Sequence, residues 1–237
     1  MHLRRRLGAS KSMYVVVAGI GVLGHELVRT LVEHGHDVVA IDRDQGVCDQ
    51  LYAEFGVTVL CGDATDLHVL EEAGARRAAV ALTLMHRDAD NIACALLART
   101  LGVERVISRM RDCGYEASYR AAGVTHVVRA TAVLRNQILA HMEHPKISDL
   151  LSLRGDRVHI FSVEVPMHAV VVGAQVREIA QMAGFPSKCL LLALLPAEAA
   201  KLNILRGEDR IGAEDTVLAI ADADDIDALT DVLTRAG

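Results

Sequence analysis

The sequence predicts an α/β chain: a doubly wound parallel sheet, then a helical crossover, then a small α+β module. Three observations carry that prediction. Short apolar runs alternate with helical patterns through residues 13–130. Each helical pattern stops at a glycine, namely Gly35, Gly56, Gly74, Gly102 and Gly123, and glycine takes the left-handed conformation that ends helices. The chain is 51% hydrophobic but only 3% aromatic and has no Trp, so its core must be built from Val, Leu, Ile and Ala, which suits strands covered on both faces.

The expected strands of the first unit are Tyr14–Ala18, Asp37–Ile41, Thr58–Cys61, Ala79–Leu84, Arg105–Arg109 and His126–Val128. Helical patterns lie between them at Gly24–His34, Gln45–Phe55, Leu67–Ala73, Ala89–Leu101 and Tyr115–Ala122. Helical crossovers between successive strands give a parallel sheet, with its ligand site at the carboxyl ends of the strands near the switch point. The pattern changes over Thr131–Leu153. Val133, Leu134, Ile138, Leu139 and Met142 form one helical apolar stripe, Pro145 interrupts it, and Ile147, Leu150, Leu151 and Leu153 read as a second. Such helices need a partner surface, on their own sheet or on another subunit. Gly155 and Asp156 begin a last unit with strands expected at Val158–Val165, Leu190–Leu195, Lys201–Leu205 and Thr216–Ala221. Its helices are expected at Ala174–Ala183, stopped by Gly184, and at Asp224–Thr234. The expected boundaries are therefore 13–130, 131–154 and 155–237.

Gly19-Ile20-Gly21-Val22-Leu23-Gly24 stands between the first strand and the first helix. This is a G-x-G-x-x-G turn in the context that gives it meaning. The first glycine permits a tight turn, the second lets a pyrophosphate approach the backbone, and the third lets helix and strand pack closely. The helix N-terminus offers free N–H groups and a positive dipole end to phosphate. The second strand ends at Asp42, eighteen residues after Gly24, where a carboxylate can accept both ribose hydroxyls of an adenosine and disfavours a 2′-phosphate. The reading is a Rossmann-like site for an adenine nucleotide, with NAD preferred over NADP.

Composition excludes several other classes. A net charge of −6 argues against a nucleic-acid binder. No stretch reaches the roughly 18 apolar residues of a membrane span; Cys189–Leu195 reads as a buried strand. Met1–Ser12 carries Arg4, Arg5, Arg6 and Lys11 without an apolar segment, so it fits a linker from a pore or an extension ahead of Met13 rather than a signal peptide. The five cysteines, at 48, 61, 94, 113 and 189, contain no C-x-x-C and read as reduced thiols packed as small apolar groups. His141 and His144 share a helix face but have no evident third ligand, and Asp222, Asp224, Asp225 and Asp227 read as caps of the last helix, so no metal site is expected. No Ser/His/Asp or Cys/His ordering stands out, and no catalytic residue is assigned.

These residues resemble the regulator-of-K⁺-conductance family, also called RCK, KTN or TrkA-type. In the first domain the resemblance rests on Gly19–Gly24, on His36–Asp44 with Asp42, on Gly62-Asp63-Ala64-Thr65, on Thr83–Arg99 with Asp88 and Asn91, and on Ala121–Val128. Gly62–Thr65 is the more specific motif, because ordinary dehydrogenases rarely carry it after the third strand. Gly173–Ile179 and Gly212–Leu218 are similar to the companion TrkA-C module. The resemblance implies a cytoplasmic regulatory protein, not an enzyme, held at the inner face of the cell membrane by a K⁺ channel or transporter subunit. It implies NAD(H) or ATP/ADP as ligand and homodimers assembling into a ring, an octamer, with Thr131–Leu153 at the intersubunit crossover. The chain departs from ATP-binding members in having Val22 and Leu23 where an Arg is frequent. It departs from divalent-ion members in having Arg109, Arg111 and Arg129–Thr131 where acids stand.

The expected nucleotide contacts are the glycine turn Gly19, Ile20, Gly21, Val22, Leu23 and Gly24, together with Asp42. Arg43 is expected to stack on adenine or meet a phosphate, or else to be a surface arginine. Gly62, Asp63, Ala64 and Thr65 are expected at the adenine end, or as a plain strand-to-helix turn capped by Thr65. Thr83 is expected to face the cleft at the exit of the fourth strand, and Arg109 to reach a phosphate. The competing classes are an NAD-dependent oxidoreductase, which needs a substrate domain that the small C-terminal module does not supply, and a scaffold with a vestigial cleft.

Overall fold

A computed structural model describes residues 12–153, 157–197 and 201–237. The chain divides between Thr131 and Ala132 into two compact units.

The first unit alternates β1 (Tyr14–Ala18), α1 (Val22–Glu33), β2 (Asp37–Asp42), α2 (Gln45–Phe55), β3 (Thr58–Cys61), α3 (Leu67–Glu72), β4 (Val80–Thr83), α4 (Asp88–Thr100), β5 (Arg105–Met110), α5 (Glu116–Ala121) and β6 (His126–Arg129). The sheet is wholly parallel in the order β3-β2-β1-β4-β5-β6. Successive residues of β1 go to opposite faces, and both faces are covered. Val15 and Val17 pack with Val28 of α1 and Leu51 of α2, whereas Val16 and Ala18 pack with Leu70 of α3 and Ala95 of α4. That is why these strands lack polar alternation. The order reverses at β1, which pairs with β2 on one side and β4 on the other, so the carboxyl end of β1 is the switch point. Gly35, Gly56, Gly74, Gly102 and Gly123 all have positive φ, as expected of helix stops.

The second unit contains most of α6 (Ala130–Glu143), then β7 (Ile147–Leu153), β8 (Val158–Glu164), α7 (Val176–Ile179), β9 (Cys189–Leu195), β10 (Asn203–Ile204), β11 (Thr216–Asp222) and α8 (Ile226–Thr234). Its antiparallel sheet runs β10-β9-β11-β8-β7. Ile226, Leu229, Val232 and Leu233 of the amphipathic α8 pack on Phe161, Val163, Val217 and Ala219.

Four sequence expectations change here. Residues 147–153 form not a second helix but strand β7, which pairs with the otherwise free edge of β8. Their apolar spacing fits either period, and the long-range partner decides. This strand lies ahead of the expected 155 boundary. The expected helix Ala174–Ala183 is α-helical only over Val176–Ile179. A Gln175–Glu178 capping box starts it, and from Gln181 the bonds tighten to three-residue turns, Gln181 N–H to Glu178 O and Met182 N–H to Ile179 O. Only Asn203–Ile204 of Lys201–Leu205 is strand. Asp222 and Asp225 make no side-chain cap bond ahead of α8; their placement at its N-terminus suits the helix dipole alone.

Candidate functional site: the glycine turn and the carboxylate beside it

The three glycines of the first turn meet different constraints. Gly19 has φ +95°, and a Cβ there would lie 2.8 Å from the Met85 nitrogen. Gly24 is where α1 crosses the turn: a Cβ would lie 2.2 Å from the Gly19 carbonyl oxygen. Gly21 is the opposite case. Its φ is −70°, which any residue adopts, and a Cβ would meet nothing within 4 Å. The second glycine therefore borders open space, as the backbone approach of a phosphate requires.

The helix that follows is left chemically open. Asp44 caps α2 by accepting from Gly46 and Val47 N–H, and Asp66 caps α3 by accepting from His68 N–H. No side chain caps α1, so its N-terminal N–H groups stay available to an anion. Ile20 is buried in the core, while Val22 is 89% exposed and Leu23 is also exposed.

Asp42 ends β2 beside this turn, and both of its oxygens are engaged. Ile20 N–H donates to Oδ2 at 2.6 Å and Asp44 N–H donates to Oδ1 at 3.0 Å. The carboxylate fastens the glycine turn to the end of β2. Each oxygen keeps a further lone pair, so the role expected for ribose hydroxyls is compatible with this one.

Gly62–Thr65 lies next to it, since Gly62 N–H donates to the Asp42 carbonyl at 2.8 Å. Ala64 is buried. The Asp63 carboxylate accepts from the Arg43 guanidinium at 2.7 Å and from the Thr65 N–H and hydroxyl at 2.8 and 2.7 Å. The Arg43 bond, then the Thr65 hydroxyl, hold the Asp63 carboxyl down to about 2. Arg43 is thus ion-paired to Asp63, and the helix cap is Asp66, not Thr65.

Thr83 departs from expectation. It is fully buried, with its hydroxyl 2.6 Å from that of Ser108, so it joins the ends of β4 and β5 instead of presenting a hydroxyl to the cleft. The Arg109 Nε is buried without a hydrogen-bond partner, the kind of donor an anionic ligand would satisfy.

A polar cluster fixes the loops after β4 and β5. Buried Asn91 accepts from Met85 N–H at 2.8 Å and donates to the Met85 and Arg109 carbonyls at 3.0 and 3.1 Å. Buried Asp88 accepts from the N–H groups of Arg111 and Asp112 and from the Tyr119 hydroxyl at 2.9, 3.1 and 2.7 Å. Burial opposes ionisation of Asp88, but these donors, led by Arg111 N–H, outweigh it and lower its pKa. Among the described residues no three His, Cys, Asp or Glu side chains converge as a metal site; the His144 Nδ1 lies 2.6 Å from an Asp227 oxygen.

The fold and the turn define a Rossmann-like domain of the dinucleotide-fold class, followed by a small antiparallel module. Residues 15–130 match the model of the TrkA-N domain. It is 29% identical over 167 residues to the Trk system potassium uptake protein TrkA homolog of Methanothermobacter thermautotrophicus, covering 70% of this chain and 77% of that one. It is 29% identical over 197 residues to Trk system potassium uptake protein TrkA of Mycobacterium tuberculosis, covering 82% and 83%. Among solved structures it resembles the GsuK RCK domain (TM-score 0.64, 19% identity, 98% of this chain and 50% of that one). It also resembles the GsuK channel bound to NAD (TM-score 0.63, 19% identity, 98% and 41%). The chain thus spans half or less of the GsuK chains it matches, and that likeness establishes the fold.

Proposed function

We propose that this chain is a nucleotide-sensing regulatory subunit or domain of a potassium channel or transporter, with no catalytic role of its own. The observation that carries the reading is the glycine turn. Gly21 faces open space, α1 is uncapped, and the turn is held at 2.6 Å to the Asp42 carboxylate. The potassium-uptake names of the relatives and the NAD-bound GsuK channel support the same reading.

The ligand is NAD(H), ATP or ADP. Its pyrophosphate rests on Gly19–Gly24 and the N-terminus of α1, its ribose hydroxyls bond Asp42, and its adenine end lies near Arg43 and Gly62–Thr65. Arg109 meets the more distant part of the ligand. Thr83 acts only by supporting that surface. A nucleotide that binds one arrangement of the assembly better biases it by about 1–3 kcal/mol, and the membrane partner reads the bias.

The assembly is a homodimer that builds a ring. Val133, Leu134, Ile138, Leu139 and Met142 leave an apolar face of α6 exposed, Ile138 by 67%, and a second copy of this helix suits that face. No helix among the described residues is long and apolar enough to cross a membrane; in this reading the protein acts at the cytoplasmic face through its partner.

Calorimetry with NAD⁺, NADH, ATP and ADP tests the reading. At least one should bind more tightly than about 1 mM, and Asp42→Ala should weaken it. No binding by any of the four, or equal affinity in the variant, contradicts it.

A further inference from the structure

Two of the five thiols lie at the adjoining ends of β2 and β3, beside the residue proposed to hold the ribose. Cys48, on α2, is buried, with its Sγ 3.5 Å from the Asp42 carbonyl oxygen and 4.0 Å from that of Leu60. Cys61, the last residue of β3, is the register partner of Asp42. It is exposed, with its Sγ 3.7 Å from the Arg43 carbonyl oxygen. Burial first, then the neighbouring Cys61 thiol, push the Cys48 thiol up to about 11. The pair therefore joins one accessible and one sheltered sulfur, each bonded to a carbonyl at the adjoining ends of β2 and β3. Cys94 is buried away from solvent, and Cys113 is exposed on a different turn.

We propose that Cys48 and Cys61 are an oxidative modification site, closing to a reversible disulfide with hydroperoxides and thereby loosening the nucleotide site. The Cys61 thiolate attacks the outer oxygen of the peroxide, the O–O bond breaks, and Cys61 becomes a sulfenic acid as water or an alcohol leaves. The Cys48 sulfur then attacks the Cys61 sulfur, the S–O bond breaks, and the hydroxide departs as water. The two thiols lose two electrons and two protons, and the peroxide gains them. A cellular dithiol returns both thiols by exchange.

The link to the site is positional. Both thiols donate to carbonyls of the Asp42–Arg43 segment, and an S–S bond of about 2.05 Å removes both donors and draws the sulfurs off those carbonyls. Asp42 is the residue that holds Ile20 of the glycine turn. The affinity part of this inference rests on the proposed nucleotide reading; the disulfide part does not.

The test uses the full chain, reduced and then exposed to hydrogen peroxide, with non-reducing peptide mapping and NAD⁺ and ADP calorimetry on the same samples. A linked Cys48–Cys61 peptide, lighter by two hydrogen atoms, should form before Cys94 is modified, and dithiothreitol should reverse it. Affinity for the nucleotide should fall about fivefold or more and return on reduction. Cys61→Ser, which keeps a donor for the Arg43 carbonyl, should bind as the reduced protein does and lose the response to peroxide, while Cys113→Ala should keep it. Accumulation of sulfinic acid at Cys61 without a linked peptide overturns the proposal, and a linked peptide with unchanged affinity overturns its coupling to the site. If the reduced protein binds neither nucleotide, the regulatory reading fails, and the peptide map still decides the disulfide.

Discussion

Gly21→Ala separates ligand binding from folding at this site. The substituted Cβ would meet no protein atom within 4 Å, and φ −70° with ψ −172° is ordinary extended backbone. The folded state bears no new clash, and the unfolded chain loses freedom, so stability should be unchanged or rise by about 0.4–1 kcal/mol. A methyl group there stands where a pyrophosphate would meet the backbone. Displacing the phosphate from one charge-assisted bond costs about 1.5–3 kcal/mol, roughly a tenfold to hundredfold loss of affinity. Gly24→Ala is the contrast. Its Cβ would lie 2.2 Å from the Gly19 carbonyl oxygen, a backbone atom that cannot swing aside, so about 3 kcal/mol of stability should go. Thermal unfolding and calorimetry on the two variants check both numbers. A Gly21→Ala protein that binds its nucleotide like wild type refutes the assignment of this turn to phosphate.

Asn91→Ala removes a buried side chain that bonds Met85 N–H and the Met85 and Arg109 carbonyls; denaturant unfolding should show a loss of about 2–4 kcal/mol. The Arg43 guanidinium, then the Thr65 hydroxyl, hold the folded Asp63 carboxyl at about 2, below the ordinary carboxylate range. Its contribution is therefore full above about pH 4 and lost as pH falls toward 2. The Arg43–Asp63 pair is exposed, so screening keeps that contribution below about 1 kcal/mol, and a stability difference between wild type and Asp63→Asn should close over this window. Ile138→Asp puts a charge on the exposed face of α6. Sedimentation should show a smaller assembly with thermal stability of the monomer retained; an unchanged assembly would remove α6 from the interface.

Much of the first unit is written locally. Strands β1 to β4 are short apolar runs ended by a glycine or a polar residue, and α2 begins at its Asp44 cap and ends at Gly56. The second unit depends more on remote partners. Ile147, Leu150 and Leu151 suit a helix as well as a strand, and only the free edge of β8 makes 147–153 a strand. The site divides in the same way. The glycine turn and Asp42 are legible from spacing. The bond from Ile20 N–H to Asp42 spans 22 positions, Thr83 to Ser108 spans 25, and Tyr119 to Asp88 spans 31, so no local pattern announces them. An Asp at the start of α4 hints at Asp88, but its loop-holding role appears only once β5 and α5 are in place.

Hydrogen exchange of the full chain, with and without saturating nucleotide, tests the central claim most directly. A nucleotide seated on the glycine turn should protect amides in residues 20–25 and at 42–44, and the same protection should be missing in Gly21→Ala. Binding that leaves those amides exchanging at their free rates, or protects only the C-terminal module, would contradict it.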